Sequence, residues 1–234
     1  MTNIKNYIVK ADNINKTYHQ GKVKVNALRG MSVKIKSSEF MALAGPSGSG
    51  KTTMLNMIGS IDRPDSGRII VDNHDYSEMK QSELADLRLQ KIGFVFQAYN
   101  LIPVLSAEEN VEYIMLLQGV NAKERKKRAR AILDDVGLEG KYTRRPSELS
   151  GGQQQRVAVA RAIVSNPAIV LADEPTANLD SKTGQSLLDM MRRMNREKNV
   201  TFIFSTHDNM VMDYAKRIVK VKDGQIDDDI VKEK

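Results

Sequence analysis

Residues 45–52, Gly45-Pro46-Ser47-Gly48-Ser49-Gly50-Lys51-Thr52, constrain the fold of this chain more than any other stretch. They follow a short apolar run, Phe40-Met41-Ala42-Leu43-Ala44, and lead into Thr53-Met54-Leu55-Asn56-Met57-Ile58, which suits a helix. Strand, glycine-rich turn and helix form the setting in which G-x-x-x-x-G-K-[ST] makes a phosphate-binding P-loop. Glycines let successive backbone N–H groups curl toward one concavity, and the helix start adds about half a positive charge. Lys51 is then placed to reach the β- and γ-phosphates, and the Thr52 hydroxyl suits Mg²⁺. By itself the loop does not separate a kinase from a GTPase, a motor or a transporter ATPase.

A chain of 234 residues supports one substantial core and is short for two ordinary domains plus a linker. No apolar run approaches the ~18 residues of a membrane helix, so no direct membrane insertion is expected. The polar start Met1-Thr2-Asn3-Ile4-Lys5-Asn6 does not resemble a secretory signal, which favours a cytoplasmic location. The absence of cysteine excludes a disulfide framework and thiolate metal ligation. The net charge of +7 admits nucleic acid or an anionic membrane surface as partner. Its sharpest source, Lys123-Glu124-Arg125-Lys126-Lys127-Arg128-Ala129-Arg130, sits behind the helix N-cap Asn121 and reads as a solvated helix face.

Taken in order, residues 7–10 and 31–36 read as strands, with a turn at 16–21 that carries an exposed Tyr18. Arg63–Gly67 is a turn, 68–71 a strand, 77–90 a helix and Ile92–Phe96 a buried strand. Gln97 follows that strand, either facing a ligand crevice or capping the loop. Residues 98–165 read as all-helical, with a capping box at Ser106–Glu109 and a basic helix over 122–136. Within them Ser150-Gly151-Gly152 opens a long helix, a second potential anion-binding terminus. The continuous apolar run Ala168–Ala172 is a central parallel strand that ends in Asp173-Glu174. Adjacent carboxylates there suit a cation, giving Asp173 to Mg²⁺ and Glu174 to the attacking water. Asp180 or Ser181 caps a helix running to about Lys198, and His207 closes a strand over 200–205. A hairpin with an Asp223-Gly224 turn follows, and the charged tail 227–234 is expected to fray.

This order of parts resembles the ATP-binding subunit of ATP-binding-cassette (ABC) transporters over essentially the whole chain. The matching residues are Tyr18, the Walker A loop 45–52, Gln97, the signature Leu149-Ser150-Gly151-Gly152-Gln153, Asp173-Glu174, the loop Asn178-Leu179-Asp180, and His207. Within the family, Gly93–Gln97 and Leu171–Asp180 are similar to the lipoprotein-release and macrolide-export branch, except that Ala177 stands where glycine is common. The resemblance implies an α/β P-loop NTPase core with a mixed, mainly parallel sheet, an N-terminal antiparallel β subdomain and an inserted α-helical subdomain. It treats 1–234 as one domain, with core 1–97 and 166–234 and helical signature subdomain 98–165.

It also implies a homodimer closing over two ATP and Mg²⁺. Tyr18 would stack on adenine, while Gly45, Pro46, Ser47, Gly48, Ser49, Gly50, Lys51, Thr52 and Thr53 hold phosphate. Thr52, Gln97 and Asp173 would hold the metal, Glu174 act as base, and His207 fix the γ-phosphate. Ser150, Gly151, Gly152, Gln153 and Asp180 would complete the site, the signature residues coming from the other subunit. The expected partner is a separate integral membrane permease that keeps the protein on the inner face of the membrane; nucleic acid is not expected. The rivals are a non-transport complex of the cell-division type and a chromosome-maintenance or DNA-repair ATPase. Heads of the second kind carry a long coiled coil or zinc-bearing insertion between the two Walker motifs, for which 98–165 has neither heptads nor cysteine.

Overall fold

The computed structural model describes residues 7–21 and 23–232. The polar start Met1–Asn6 and the last two residues of the charged tail lie outside the described residues. The elements are β1 (Tyr7–Gln20), β2 (Val23–Lys36), β3 (Phe40–Ala44), α1 (Lys51–Ile58), β4 (Ser66–Val71), β5 (His74–Asp75), α2 (Gln81–Lys91) and β6 (Ile92–Val95). There follow α3 (Ala107–Leu117), α4 (Ala122–Asp135), α5 (Gly151–Ile163), β7 (Ile169–Asp173), α6 (Ser181–Lys198), β8 (Thr201–Thr206), α7 (Asn209–Tyr214), β9 (Arg217–Lys222) and β10 (Gln225–Val231). Short 3-10 turns occupy Tyr76–Glu78 and Pro146–Glu148.

Two sheets share the core. One is antiparallel, in the order β2-β1-β4-β5; the other runs β10-β9-β3-β8-β7-β6 and is parallel except for the β9–β10 hairpin. The period-2 alternation of strand side chains splits the core between the two faces of the second sheet. Phe40, Ala42, Phe202, Phe204 and Val170 meet the helical side, with α5 and α6. Met41, Leu43, Ile203 and Leu171 meet α1 and the antiparallel sheet. Both faces are covered, which is why the sequence of β3 and β7 reads as unbroken apolar runs. All the parallel strands present their carboxyl ends to one edge, and the P-loop, Gln97, Glu174 and His207 all follow such ends.

Several expectations are corrected. The strand at 7–10 continues to Gln20 and that at 31–36 begins at Val23, so the turn expected at 16–21 is mostly strand and carries Tyr18 within β1. Register shifts between Ala11 and Lys16, with Asn13 at φ 53°, interrupt the alternation that would have revealed one long strand. The helix expected over 77–90 is a 3-10 turn followed by α2. The tail does not fray from 227, because β10 pairs with β9 to Val231. Acidic β10 lies on basic β9: Arg217 binds Asp229 at 2.7 Å and Lys220 binds Asp228 at 3.2 Å. Bonding to Arg217 holds Asp229 below the usual carboxylate range.

Candidate functional site

The P-loop lies beneath the β9–β10 turn. Asp223 and Gly224 both take positive φ, 49° and 78°, as a type I′ hairpin requires, and the Gly224 amide donates to the Ser49 carbonyl at 2.9 Å. Gly50, at φ 105°, starts α1 with the Ala27 carbonyl oxygen 2.5 Å from where a Cβ would sit. Lys51 is 5% exposed and its Nζ donates to the loop's own Gly45 and Pro46 carbonyls, at 2.7 and 2.8 Å. Burial pushes the Lys51 ammonium below its ordinary value, against the opposing pull of Glu174 and Asp173. Ser49 Oγ is buried with no hydrogen-bond partner, while Ser47 and Gly48 are exposed at the rim. A buried cation, an orphaned hydroxyl and a glycine-rich turn fit an anionic phosphate.

Thr52, one residue into α1, donates from Oγ1 to Asp173 Oδ1 at 2.9 Å, joining the helix start to the end of β7. A hydroxyl and a carboxylate are hard oxygen donors, so this pair fits Mg²⁺ when some of its shell comes from water and phosphate. Glu174 leaves the strand at φ 45°, a left-handed conformation that costs a non-glycine residue about 1 kcal/mol or more. Its amide donates to the Ser205 carbonyl at 2.9 Å, Oε2 accepts from Thr206 Oγ1 at 3.1 Å, and Oε1 lies 2.7 Å from His207 Nδ1. Ser205 thus ties the Glu174 backbone to β8, and Thr206 and His207 hold its carboxylate.

The second helix start is placed elsewhere. Ser150 caps α5, accepting from the Gln153 amide at 3.4 Å, while Gln153 Oε1 accepts from the Ser150 amide at 3.1 Å. The neighbours of Gly151 are Tyr99 and Asn178, and that of Gly152 is Thr183. Gln97 is exposed just past β6, and its backbone carbonyl accepts from Asn178 Nδ2 at 2.9 Å. Asp180, not Ser181, caps α6, accepting from the Thr183 amide and hydroxyl at 3.0 and 2.6 Å. The structure thus brings Lys51, Thr52, Asp173, Glu174 and His207 together and keeps Ser150–Gln153 with α6.

Residues 28–177 match the ABC transporter family model. An uncharacterized ABC transporter ATP-binding protein of Thermotoga maritima is 48% identical over 212 residues, covering 91% of this chain and 90% of its own length. The chain belongs to the ABC transporter ATP-binding family. A dimeric structure of the ATP-binding cassette MJ0796 of Methanocaldococcus jannaschii, in a post-hydrolysis state bound to ADP and Pi, matches this ABC ATPase with a TM-score of 0.89. Its identity is 43%, over 97% of this chain and 99% of that one. The macrolide export ATP-binding/permease protein MacB of Brucella melitensis is 44% identical over 225 residues; the match takes in 96% of this chain but 35% of that protein's length.

Tyr18, which the resemblance assigns to adenine, is more firmly held than its sequence suggests. Tyr18, 37% exposed, donates from its hydroxyl to Asp62 Oδ2 at 2.9 Å. Lys16 Nζ binds Asp62 Oδ1 at 3.0 Å and stands 5.2 Å from the ring centroid, which covers one face of the ring. Burial and Asp62 push the phenol up to about 12. Burial works against the charge of Asp62, but bonds from Lys16, Tyr18 and the Arg63 amide outweigh it and lower that pKa. Sequence reasoning missed Asp62, Thr206 and Arg161, whose guanidinium holds the Tyr99 and Asn100 carbonyls of the turn after Gln97. Positive φ at Tyr99 and Asn100 makes that turn tight, and only the Asn gave any signal for it.

Proposed function

We propose that this ABC ATPase is the motor subunit of a transporter, closing as a homodimer over two ATP and driving a separate membrane permease. The convergence of Lys51, Thr52, Asp173 and Glu174 in one chain, with the α5 start packed away on α6, carries the reading. One copy supplies the phosphate cradle and the base, and a second copy supplies Ser150, Gly152 and Gln153. In this reading the subdomain 98–165 presents the signature, and 1–97 with 166–234 form the core. The dimeric cassette structure with ADP and Pi supports it by homology.

Tyr18 offers its uncovered ring face to adenine. Lys51 exchanges the Gly45 and Pro46 carbonyls for phosphate oxygens, and the loop amides and Ser49 add donors. Thr52, Asp173 and Gln97 would hold Mg²⁺, which supplies charge neutralisation of the phosphates when bound. Glu174 orients and deprotonates water, and His207 takes the γ-phosphate. Because phosphoryl transfer depends mostly on positioning and charge, a site completed only on closure couples hydrolysis to motion. Among the described residues no helix is long and apolar enough to cross a membrane. The fused permease of the macrolide exporter supports a permease partner, and export or extraction of a macrolide, lipoprotein or antimicrobial peptide is the class of work proposed.

The test is Glu174→Gln. We expect hydrolysis to fall by about 10²-fold or more, the contribution of a positioned base, while ATP and Mg²⁺ hold the variant as a dimer in light scattering. Near-normal turnover, or a monomer under those conditions, would overturn the mechanism.

A further inference from the structure

We propose that Thr206 is a positioning residue for hydrolysis, holding the Glu174 carboxylate through a hydrogen bond from its hydroxyl. This rests on the reading of Glu174 as the base. Thr206 Oγ1 accepts the Asp208 backbone N–H at 3.0 Å. A threonine hydroxyl has a single proton, and with a donor already on its oxygen that proton is free for Glu174 Oε2, 3.1 Å away. The bond therefore fixes where that carboxylate oxygen sits, as a general base that must reach its water requires.

The origin of that N–H is itself fixed. Asp208 Oδ2 accepts from Thr176 Oγ1 at 2.8 Å and Oδ1 accepts from the Met210 amide at 2.9 Å. Thr176 lies two residues beyond Glu174, so the path Glu174–Thr206–Asp208–Thr176 returns to the segment it started from. Thr206 is 0% exposed and Thr176 5% exposed, so little water competes for these bonds. His207, by contrast, has a side chain 61% exposed and is free to turn toward a phosphate; Thr206 is the partner that stays.

The experiment compares Thr206→Val, which keeps the side-chain shape without the hydroxyl, with Thr206→Ser, which keeps the hydroxyl. For Thr206→Val we expect kcat to fall about 10-fold or more, part of the ~10²–10⁴ that a positioned base contributes. KM for ATP and the ATP-dependent dimer should be retained, and Thr206→Ser should recover most of the rate. If valine disturbs the strand, Thr206→Ala should give the same split between kcat and KM. An unchanged kcat, a rise in KM matching the fall in kcat, or a serine variant as slow as valine would overturn the proposal. Single-turnover assays in the Glu174→Gln background separate the two claims. Valine should not slow the residual rate further there, and a further 10-fold loss means Thr206 acts elsewhere. Full turnover by Glu174→Gln alone removes the base reading itself.

Discussion

The two glycine-rich helix starts, at α1 and at α5, look alike in sequence and differ in what the fold has done with them. The first is embedded: Gly50 meets the Ala27 carbonyl, Gly224 closes over Ser49, and a buried lysine and an orphaned hydroxyl line it. The second is self-satisfied, with Ser150 and Gln153 capping each other and the Gln154 amide bonded to the Ser150 carbonyl. That leaves the Gly151 and Gly152 amides as the donors for anything arriving from outside. In the proposed dimer, the first start binds before assembly and the second meets what the first already holds. The largest effect should come from filling the first. Gly50→Ala puts a Cβ against a backbone oxygen at φ 105°, adding strain of about 1–3 kcal/mol and overpacking of about 1–3 kcal/mol. Denaturant titration should show a loss of that order, and calorimetry should show no ATP binding. A variant of normal stability and affinity would mean the cradle adapts.

The second start should respond differently. A Cβ on Gly152 would stand 2.4 Å from Thr183 Cγ2, and Thr183 cannot turn away because its hydroxyl and amide are both held by Asp180. Gly152→Ala should therefore cost about 1–3 kcal/mol of stability and leave ATP binding by the monomer intact while impairing dimerisation and turnover. Adding Thr183→Ser removes the obstructing methyl and keeps the hydroxyl, so it should restore stability. If the double variant is no more stable than the single one, the clash is not where the cost lies.

The contrast also marks what sequence could convey. The P-loop was legible because its glycines, its lysine and the flanking strand and helix all point to one structure. Most of β1 was not, since its bulges break the alternation from which a strand is read. The acidic tail was misjudged because charge suggests fraying, whereas Asp228 and Asp229 face Lys220 and Arg217. Thr206 gave no signal at all: a threonine at a strand end is what β propensity places there anyway. Its role depends on the pairing of β7 with β8, which brings Glu174 to Oγ1, a tertiary fact. The Ser150–Gln153 capping box was visible as S-x-x-Q, but the adjoining glycines drew attention to anion binding instead.

That box offers the finest test, because it separates a local duty of Ser150 from one toward another copy. Ser150→Ala removes the cap and should cost about 1 kcal/mol, read as a lowered denaturation midpoint. Ser150→Asp keeps a side chain that caps as well as serine and favours the positive helix start, so stability should be unchanged. The new carboxylate would face the phosphate brought by the other copy, where like charges repel. If Ser150 serves the dimer, the aspartate variant is stable, binds ATP as a monomer and neither dimerises nor turns over. If Ser150 only caps its helix, the aspartate variant dimerises and hydrolyses ATP normally, and the alanine variant alone is affected.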